Sequence, residues 1–259
     1  MITISLIIPT YNEDGRIKKT IETLKQGVYF YGQILKEIIF TDDGSTDETL
    51  GLIKKAKKSI ERKNKTKVKI IFYEKNRGRG YAIRQAALLS KGDYVLYADA
   101  DFSIPLENIK KFIPYMKKDY DVIIGSKKIK GVREIIKRSL IRKIVGYGHS
   151  FIAYLILGVF VWDFQGGFKL FSRQYVDKIF PYLQIDRWGF DMEVIFLAKK
   201  LNYKLKELPV RWGHVEDNSK VVLLRDIIRS LEEMIRIKTN WLGGKYQKDV
   251  IPKFAINYS

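Results

Sequence analysis

The chain contains no cysteine, which excludes a disulfide framework and any thiolate-held zinc site. Histidine is nearly absent. His149 and His214 are the only two, so acid–base and metal chemistry falls mainly to carboxylates. Acidic residues are themselves in short supply, 29 against 48 Lys and Arg, for a net charge of +19. Such an excess calls for an anionic partner: nucleic acid, a membrane surface or a phosphorylated substrate. No apolar run reaches the ~18 to 20 residues of a spanning helix. The longest, Phe151 to Trp162, has the length of a buried or interfacial segment. Met1-Ile2-Thr3-Ile4-Ser5 lacks the basic-then-apolar layout of a signal peptide. The expectation is a soluble or peripheral protein inside the cell. Two motifs are missing as well. No Gly-x-Gly-x-x-Gly follows the first strand-like run, and no Gly-x-x-x-x-Gly-Lys-Ser/Thr occurs, which excludes the common dinucleotide and P-loop sites.

What is present is a chain of 259 residues with 46% apolar content, enough for a full core in one large or two small domains. Strand-like runs at 2–8, 37–41, 68–73, 94–98 and 121–125 alternate with helical spacings over 17–28, 46–60, 79–89 and 105–117. Ile17, Ile21, Leu24 and Val28, or Leu50, Ile53, Ala56 and Ile60, mark one helix face each. This alternation implies right-handed crossovers and an α/β fold, a mostly parallel sheet covered by helices on both faces.

The polar motifs gather at one edge of that sheet. Pro9-Thr10-Tyr11-Asn12-Glu13, Asp42-Asp43-Gly44-Ser45-Thr46-Asp47, Asn76-Arg77-Gly78-Arg79-Gly80 and Asp99-Ala100-Asp101 follow the first four strands in turn. Carboxyl ends of strands are where open α/β sheets bind ligands. Singly, each motif also reads as a turn or a helix cap; together they mark a site. Asp99 and Asp101, with Ser103 as a third oxygen, can share a hard cation, Mg2+ or Mn2+, which also takes substrate phosphate oxygens. A calcium loop is excluded, because Ile104 and Lys110 stand where Gly and Glu are needed. What remains is a carboxylate-held metal beside a crevice, which suits a nucleotide bound through its diphosphate.

With these motifs the sequence resembles the family 2 glycosyltransferases of GT-A (Rossmann-like) fold. Further motifs are similar to those of the dolichyl-phosphate glucosyltransferases and, less closely, the dolichyl-phosphate mannose synthases. They are Gly125-Ser126-Lys127, Lys137 to Arg142, Gln165 to Phe171, Arg187 to Glu193 and Asp217 to Val221. The resemblance implies that Pro9, Tyr11, Asn12, Glu13 and Asp42 or Asp43 contact base and ribose. Arg77, Gly78, Arg79, Asp99 and Ala100 would complete the donor site, with Asp101 the better candidate for direct metal coordination. Gln165, Gly166 and Gly167 read either as a turn approaching the donor sugar or as a simple tight turn, and Trp188 either stacks on sugar or isoprenoid or lies in the core. Two departures stand out: the N-terminal membrane anchor usual in the eukaryotic enzymes is not expected from this sequence, and Lys127 stands where Arg is common.

Between Lys127 and Lys143 lie eight Lys or Arg and one acid, Glu134. Ile135, Ile136, Leu140, Ile141 and Ile144 interleave with them, and an apolar stretch follows. A basic amphipathic segment beside an aromatic–aliphatic one suits an anionic bilayer. Ser126, Lys127, Arg133, Arg138, Ser139 and Arg142 are candidates for an acceptor phosphate. A second amphipathic helix is expected over 221–241. The chain divides into a nucleotide-sugar-binding half (1–125), an acceptor-binding and catalytic half (126–220) and a C-terminal amphipathic segment (221–259).

The reading is a metal-dependent inverting transfer of a hexose, with UDP-glucose the first choice of donor, to a polyprenyl or dolichyl phosphate. It places the protein on the cytoplasmic face of the membrane. Asp191 is the base candidate if the acceptor is a hydroxyl, as in polysaccharide or glycolipid synthesis. Otherwise it positions the sugar, orients a cation or N-caps the helix after it. His214 is a further candidate metal ligand. A nucleotidyltransferase would need a glycine- and arginine-rich loop after the first strand. A nucleic-acid binder would line a groove with its cations, whereas most here surround a lipid-like stretch.

Overall fold

The computed structural model describes residues 1–28, 30, 34–134, 140–213 and 223–246. Nine strands run in chain order: β1 Thr3–Thr10, β2 Ile34–Asp42, β3 Lys67–Phe72, β4 Tyr94–Ala98, β5 Val122–Ser126, β6 Arg133–Glu134, β7 Phe168–Ser172, β8 Leu205–Pro209 and β9 Arg211–Trp212. The helices are α1 Asp14–Gln26, α2 Thr49–Asn64, α3 Arg79–Leu89, α4 Ile113–Met116, α5 Leu140–Leu157, α6 Arg173–Ile179, α7 Phe190–Lys200 and α8 Leu223–Leu242. Seven strands form one sheet in the order β3-β2-β1-β4-β7-β5-β8, while β6 and β9 pair apart as a short parallel ribbon.

The first four strands are parallel to one another, as the alternation of strand and helix predicts. Strand β7 is antiparallel to both its neighbours, β4 and β5. It is also a strand that the sequence reading did not mark. One predicted helix breaks up: 105–117 folds as a 3-10 stretch, Leu106–Lys111, followed by the single turn α4. Pro114 lies inside the apolar pattern and cannot donate to a continuing helix, so the segment restarts with Pro in its first turn.

Alternate strand residues feed two cores. Ile4, Leu6 and Ile8 face α1 and α2 on one side, with Tyr94, Leu96 and Ala98 beside them. Ile7, Val95 and Tyr97 face the other side, where α3, α6 and α7 contribute and α5 and α8 close over. Because β4 is buried on both faces, its residues read as an uninterrupted apolar run. No helix among the described residues is long and apolar enough to cross a membrane.

A candidate active site at the carboxyl ends of the strands

The loop after β2 is built around two buried carboxylates. Asp42 accepts hydrogen bonds from Thr10 Oγ1 (3.1 Å) and Ser45 N (3.0 Å). Asp43 accepts from the backbone N–H of Arg77 and of Gly78 (2.8 Å each) and from Asn76 Nδ2 (2.9 Å). Burial raises the Asp43 pKa, and the two amides work against that rise. Asn12 takes the left-handed region (φ 50°) and accepts Thr46 N at 2.8 Å, which ties the loop after β1 to the loop after β2. Pro9 is buried at the end of β1, Tyr11 is exposed, and Glu13 pairs with Arg16. These predicted donor residues therefore lie in adjoining loops.

Arg79, at the start of α3, extends into the centre of the site. It forms ion pairs with Asp99 and, at 2.8 Å, with Asp191 Oδ2. Its guanidinium lies 5.2 Å from the Tyr97 ring and 5.5 Å from the Trp188 ring. Burial works against its charge, and the carboxylates, Asp99 first and then Asp191, outweigh it and raise its pKa. Arg77 lies outside this group, exposed and stacked on Tyr81 at 4.2 Å.

Asp191 is the hub. Lys169 Nζ lies 2.6 Å from its Oδ1, and the Tyr97 hydroxyl donates to the same oxygen. Lys169 is fully buried and also reaches Gly166 O at 2.6 Å. The antiparallel register explains the meeting: Tyr97 and Lys169 are direct partners across β4 and β7, on the face that α7 covers. Burial would raise the Asp191 pKa, but Lys169, Arg79 and the Tyr97 hydroxyl bring it below the ordinary carboxylate value. Asp191 is not the N-cap of its helix. Gly189 holds that position and α7 begins at Phe190, while both Asp191 oxygens are turned to the cations.

Gly167 brings the turn after Asp163 against β4: Asp99 N donates to Gly167 O at 3.1 Å. A Cβ at Gly167 would collide with the Asp99 carboxylate, so any side chain there must displace that acid. Gly166 is buried and Gln165 exposed, its amide 3.4 Å from His149 Nε2. Burial first, then Lys128, pushes the His149 pKa down to about 4. Trp188 is not in the core; it is 56% exposed at the rim.

Asp101 is half-buried after β4, with Oδ1 oriented by Ser103 N at 2.8 Å. Ser103 O accepts Gly213 N at 2.9 Å, and Ala100 O accepts the Thr20 hydroxyl. Among the described residues no three His or acidic side chains gather as a metal cage. The two carboxylates Asp99 and Asp101, both accessible from solvent, fit a cation that fills its shell with water and substrate phosphate oxygens. His214, Arg138 and Ser139 lie outside the described residues, as does the Arg142 side chain.

Among the predicted acceptor residues, Ser126 is fully buried and its hydroxyl accepts Lys128 N at 3.2 Å. Lys127 N donates to Asp163 Oδ2 at 2.8 Å, and its ammonium lies 5.1 Å from the Trp212 ring. Lys128 Nζ binds Gly146 O (2.7 Å) and Ser150 Oγ (2.8 Å) of α5. Arg133 is exposed on β6, in register with Arg211 of β9. The sequence reading missed Tyr97 and Lys169. Their signal was a tyrosine and a lysine inside apolar strands, Tyr94–Ala98 and Phe168–Ser172.

Comparison with known proteins agrees with this geometry. The model of the family described as "Glycosyl transferase family 2" matches residues 5–180. A dolichyl-phosphate beta-glucosyltransferase of Saccharomyces cerevisiae is 36% identical over 262 residues, spanning 95% of this chain and 77% of the relative. One from Dictyostelium discoideum is 32% identical, over 94% and 76%. Among solved structures, glucosyl-3-phosphoglycerate synthase from Mycobacterium tuberculosis in complex with phosphoglyceric acid superposes with a TM-score of 0.66 at 15% identity, covering 92% of this chain and 80% of that one. The same enzyme has been solved with Mg2+ and uridine-diphosphate (TM-score 0.64, 15% identity, 92% and 80% covered). A sheet with this strand order, a family model spanning two thirds of the chain and relatives that match over nearly the whole of it lead to one conclusion: the chain belongs to glycosyl transferase family 2 and is a glycosyltransferase.

Proposed function

We propose that the protein transfers glucose from UDP-glucose to a dolichyl or other polyprenyl phosphate at an anionic membrane surface, inverting the anomeric carbon. The observation that carries this reading is the state of Asp191. Its pKa is lowered and both its oxygens are committed to Lys169, Tyr97 and Arg79, which makes it a poor proton acceptor. A hydroxyl acceptor would need a base there; a phosphate acceptor is already ionised. The names of the relatives point the same way.

The donor would lie over the loops after β1 and β2, with its diphosphate toward Arg79, Asp99 and Asp101. A Mg2+ or Mn2+ ion held by Asp101, with Asp99 beside it, would neutralise the charge that develops on the departing diphosphate. Arg79 carries positive charge to the same place, fixed by the carboxylates on either side. Lys169 and Tyr97 keep Asp191 ionised, and Asp191 keeps Arg79 aimed.

A lipid acceptor is supported by the surface next to this site. Ile144, Tyr147, Phe151 and Leu155 of α5, followed by Phe160 and Trp162, are all exposed. Cationic Lys127 and Arg133 lie on the adjoining loop and ribbon. Apolar side chains exposed together next to cations suit the interface of an anionic bilayer. Labelled transfer to polyprenyl phosphate in detergent, with Mg2+, Mn2+ or chelator, tests the reading on wild type and Asp101→Ala. Metal-dependent labelled lipid from UDP-glucose, lost in the variant, is the expected result.

A further inference from the structure

The turn 183–189 supplies Trp188 to the rim of the site, and groups outside the turn fix its backbone. Glu193, fully buried in α7, accepts Gln184 N at Oε1 (2.8 Å) and Ile185 N at Oε2 (3.0 Å). The Tyr246 hydroxyl donates to the same Oε1 at 2.5 Å. Gly189, the N-cap of α7, has no side chain of its own to cap with. Its N–H is instead donated to Glu233 Oε2 of α8 at 2.7 Å.

The opposite side of the turn presses on the Gly78–Arg79 loop. Asp186 O accepts Tyr81 N at 2.9 Å, and Arg187 donates to Asn76 Oδ1 at 3.2 Å. Gly78 has φ 118°, and a Cβ there would strike Asp186 O. The turn is thus held between the C-terminal segment and the loop from which Arg79 reaches Asp99 and Asp191.

We propose that Glu193, Glu233 and Tyr246 are positioning residues that make the C-terminal helix part of the scaffold of the active site. The placement of α8 is passed through the turn 183–189 to Arg79. The outer face of α8 exposes Ile227, Ile228 and Ile235. Under the function proposed above, on which only the kinetic part of the test rests, α8 links a lipid-facing surface to the donor-side arginine.

Hydrogen–deuterium exchange on the full chain, paired with donor kinetics, tests this in wild type, Glu233→Ala, Glu233→Gln and Tyr246→Phe. Glu233→Ala is expected to speed exchange about tenfold or more in peptides covering 184–191, the size of losing one charge-assisted hydrogen bond. It should also speed exchange in peptides covering 77–83, which Glu233 does not touch. Glu233→Gln, whose amide oxygen still accepts Gly189 N, should restore both. The KM for UDP-glucose should rise about tenfold in Glu233→Ala, with kcat changed less, and recover in Glu233→Gln. Faster exchange confined to 184–191, or no recovery in Glu233→Gln, would overturn the proposal. If Glu233→Ala does not fold, Tyr246→Phe carries the same comparison at smaller amplitude, and unchanged exchange at 77–83 in that variant counts against it. If wild type transfers from no donor, the exchange result still decides the positioning claim, and the missing turnover counts against the proposed function alone.

Discussion

At the residue scale the site depends on one fully buried pair. Burial lowers the Lys169 pKa below its ordinary value, and the Asp191 carboxylate works against that fall. Removing either partner leaves the other charge buried and less compensated, which costs on the order of 3–5 kcal/mol. Lys169→Met and Asp191→Leu should each lose about that much in denaturant unfolding, and the double variant should lose less than their sum. Additive losses would show that the two do not form a unit. The pH dependence follows with its sign. Burial raises and Lys169 then Arg79 lower the Asp191 pKa, and the net is below its ordinary 3.8. Asp191 is therefore ionised in the folded protein throughout the neutral range. The stability it contributes is present above its unfolded pKa and is lost as pH falls through the folded one. A limb in kcat/KM near neutrality that disappears in Asp191→Asn would contradict this assignment.

At the scale of elements, β7 and the turn before it do more than the sequence alone revealed. Its motif, Gln165 to Phe171, was visible as part of a resemblance, but the antiparallel register that sets Lys169 opposite Tyr97 was not. Pattern reading assigns a lysine to a surface, and only the three-dimensional pairing supplies its buried counter-charge. By contrast, the four loops after β1 to β4 were legible, because parallel strands bring every carboxyl end to the same edge. The helix predicted over 105–117 failed at Pro114, where apolar spacing outweighed a residue that cannot donate. Gly167 gives an element-scale prediction. In Gly167→Ala the new methyl meets Asp99, which should cost about 1–3 kcal/mol of stability by overpacking and sharply reduce transfer. Near-wild-type activity would mean that Asp99 has room to move without loss. Glu193 gives another. Burial pushes its carboxyl from an ordinary 4.5 up to about 7, against its three hydrogen bonds. The folded state then binds more protons than the unfolded one between those values. The contribution of Glu193 to stability is full below about 4.5 and declines as pH rises to about 7. Thermal unfolding of Glu193→Gln should show a weaker fall in Tm across that window than wild type; parallel curves would refute it.

At the scale of the whole molecule, a net charge of +19 and the exposed apolar faces of α5 and α8 act together. Under the proposed function the charge would attract an anionic surface over a distance set by salt, and the apolar side chains would hold once contact is made. Sedimentation with anionic vesicles should weaken as salt rises and weaken further in Phe151→Asp, a residue 59% exposed on α5. Equal binding to neutral vesicles would remove the electrostatic part of this account. Charge and composition alone pointed equally to nucleic acid; the segment order of cations beside apolar helix favoured lipid, and the exposed aromatic row beyond α5 supports it. The central claim is that an ionised lipid phosphate, rather than a hydroxyl activated by Asp191, attacks the donor sugar. Its most direct test is transfer from labelled UDP-glucose to polyprenyl phosphate, compared with the corresponding polyprenol, in detergent with Mg2+ or Mn2+. Metal-dependent labelled product from the phosphate and none from the alcohol is the predicted result. Product from the alcohol alone, lost in Asp191→Asn, would contradict it and return Asp191 to the role of base.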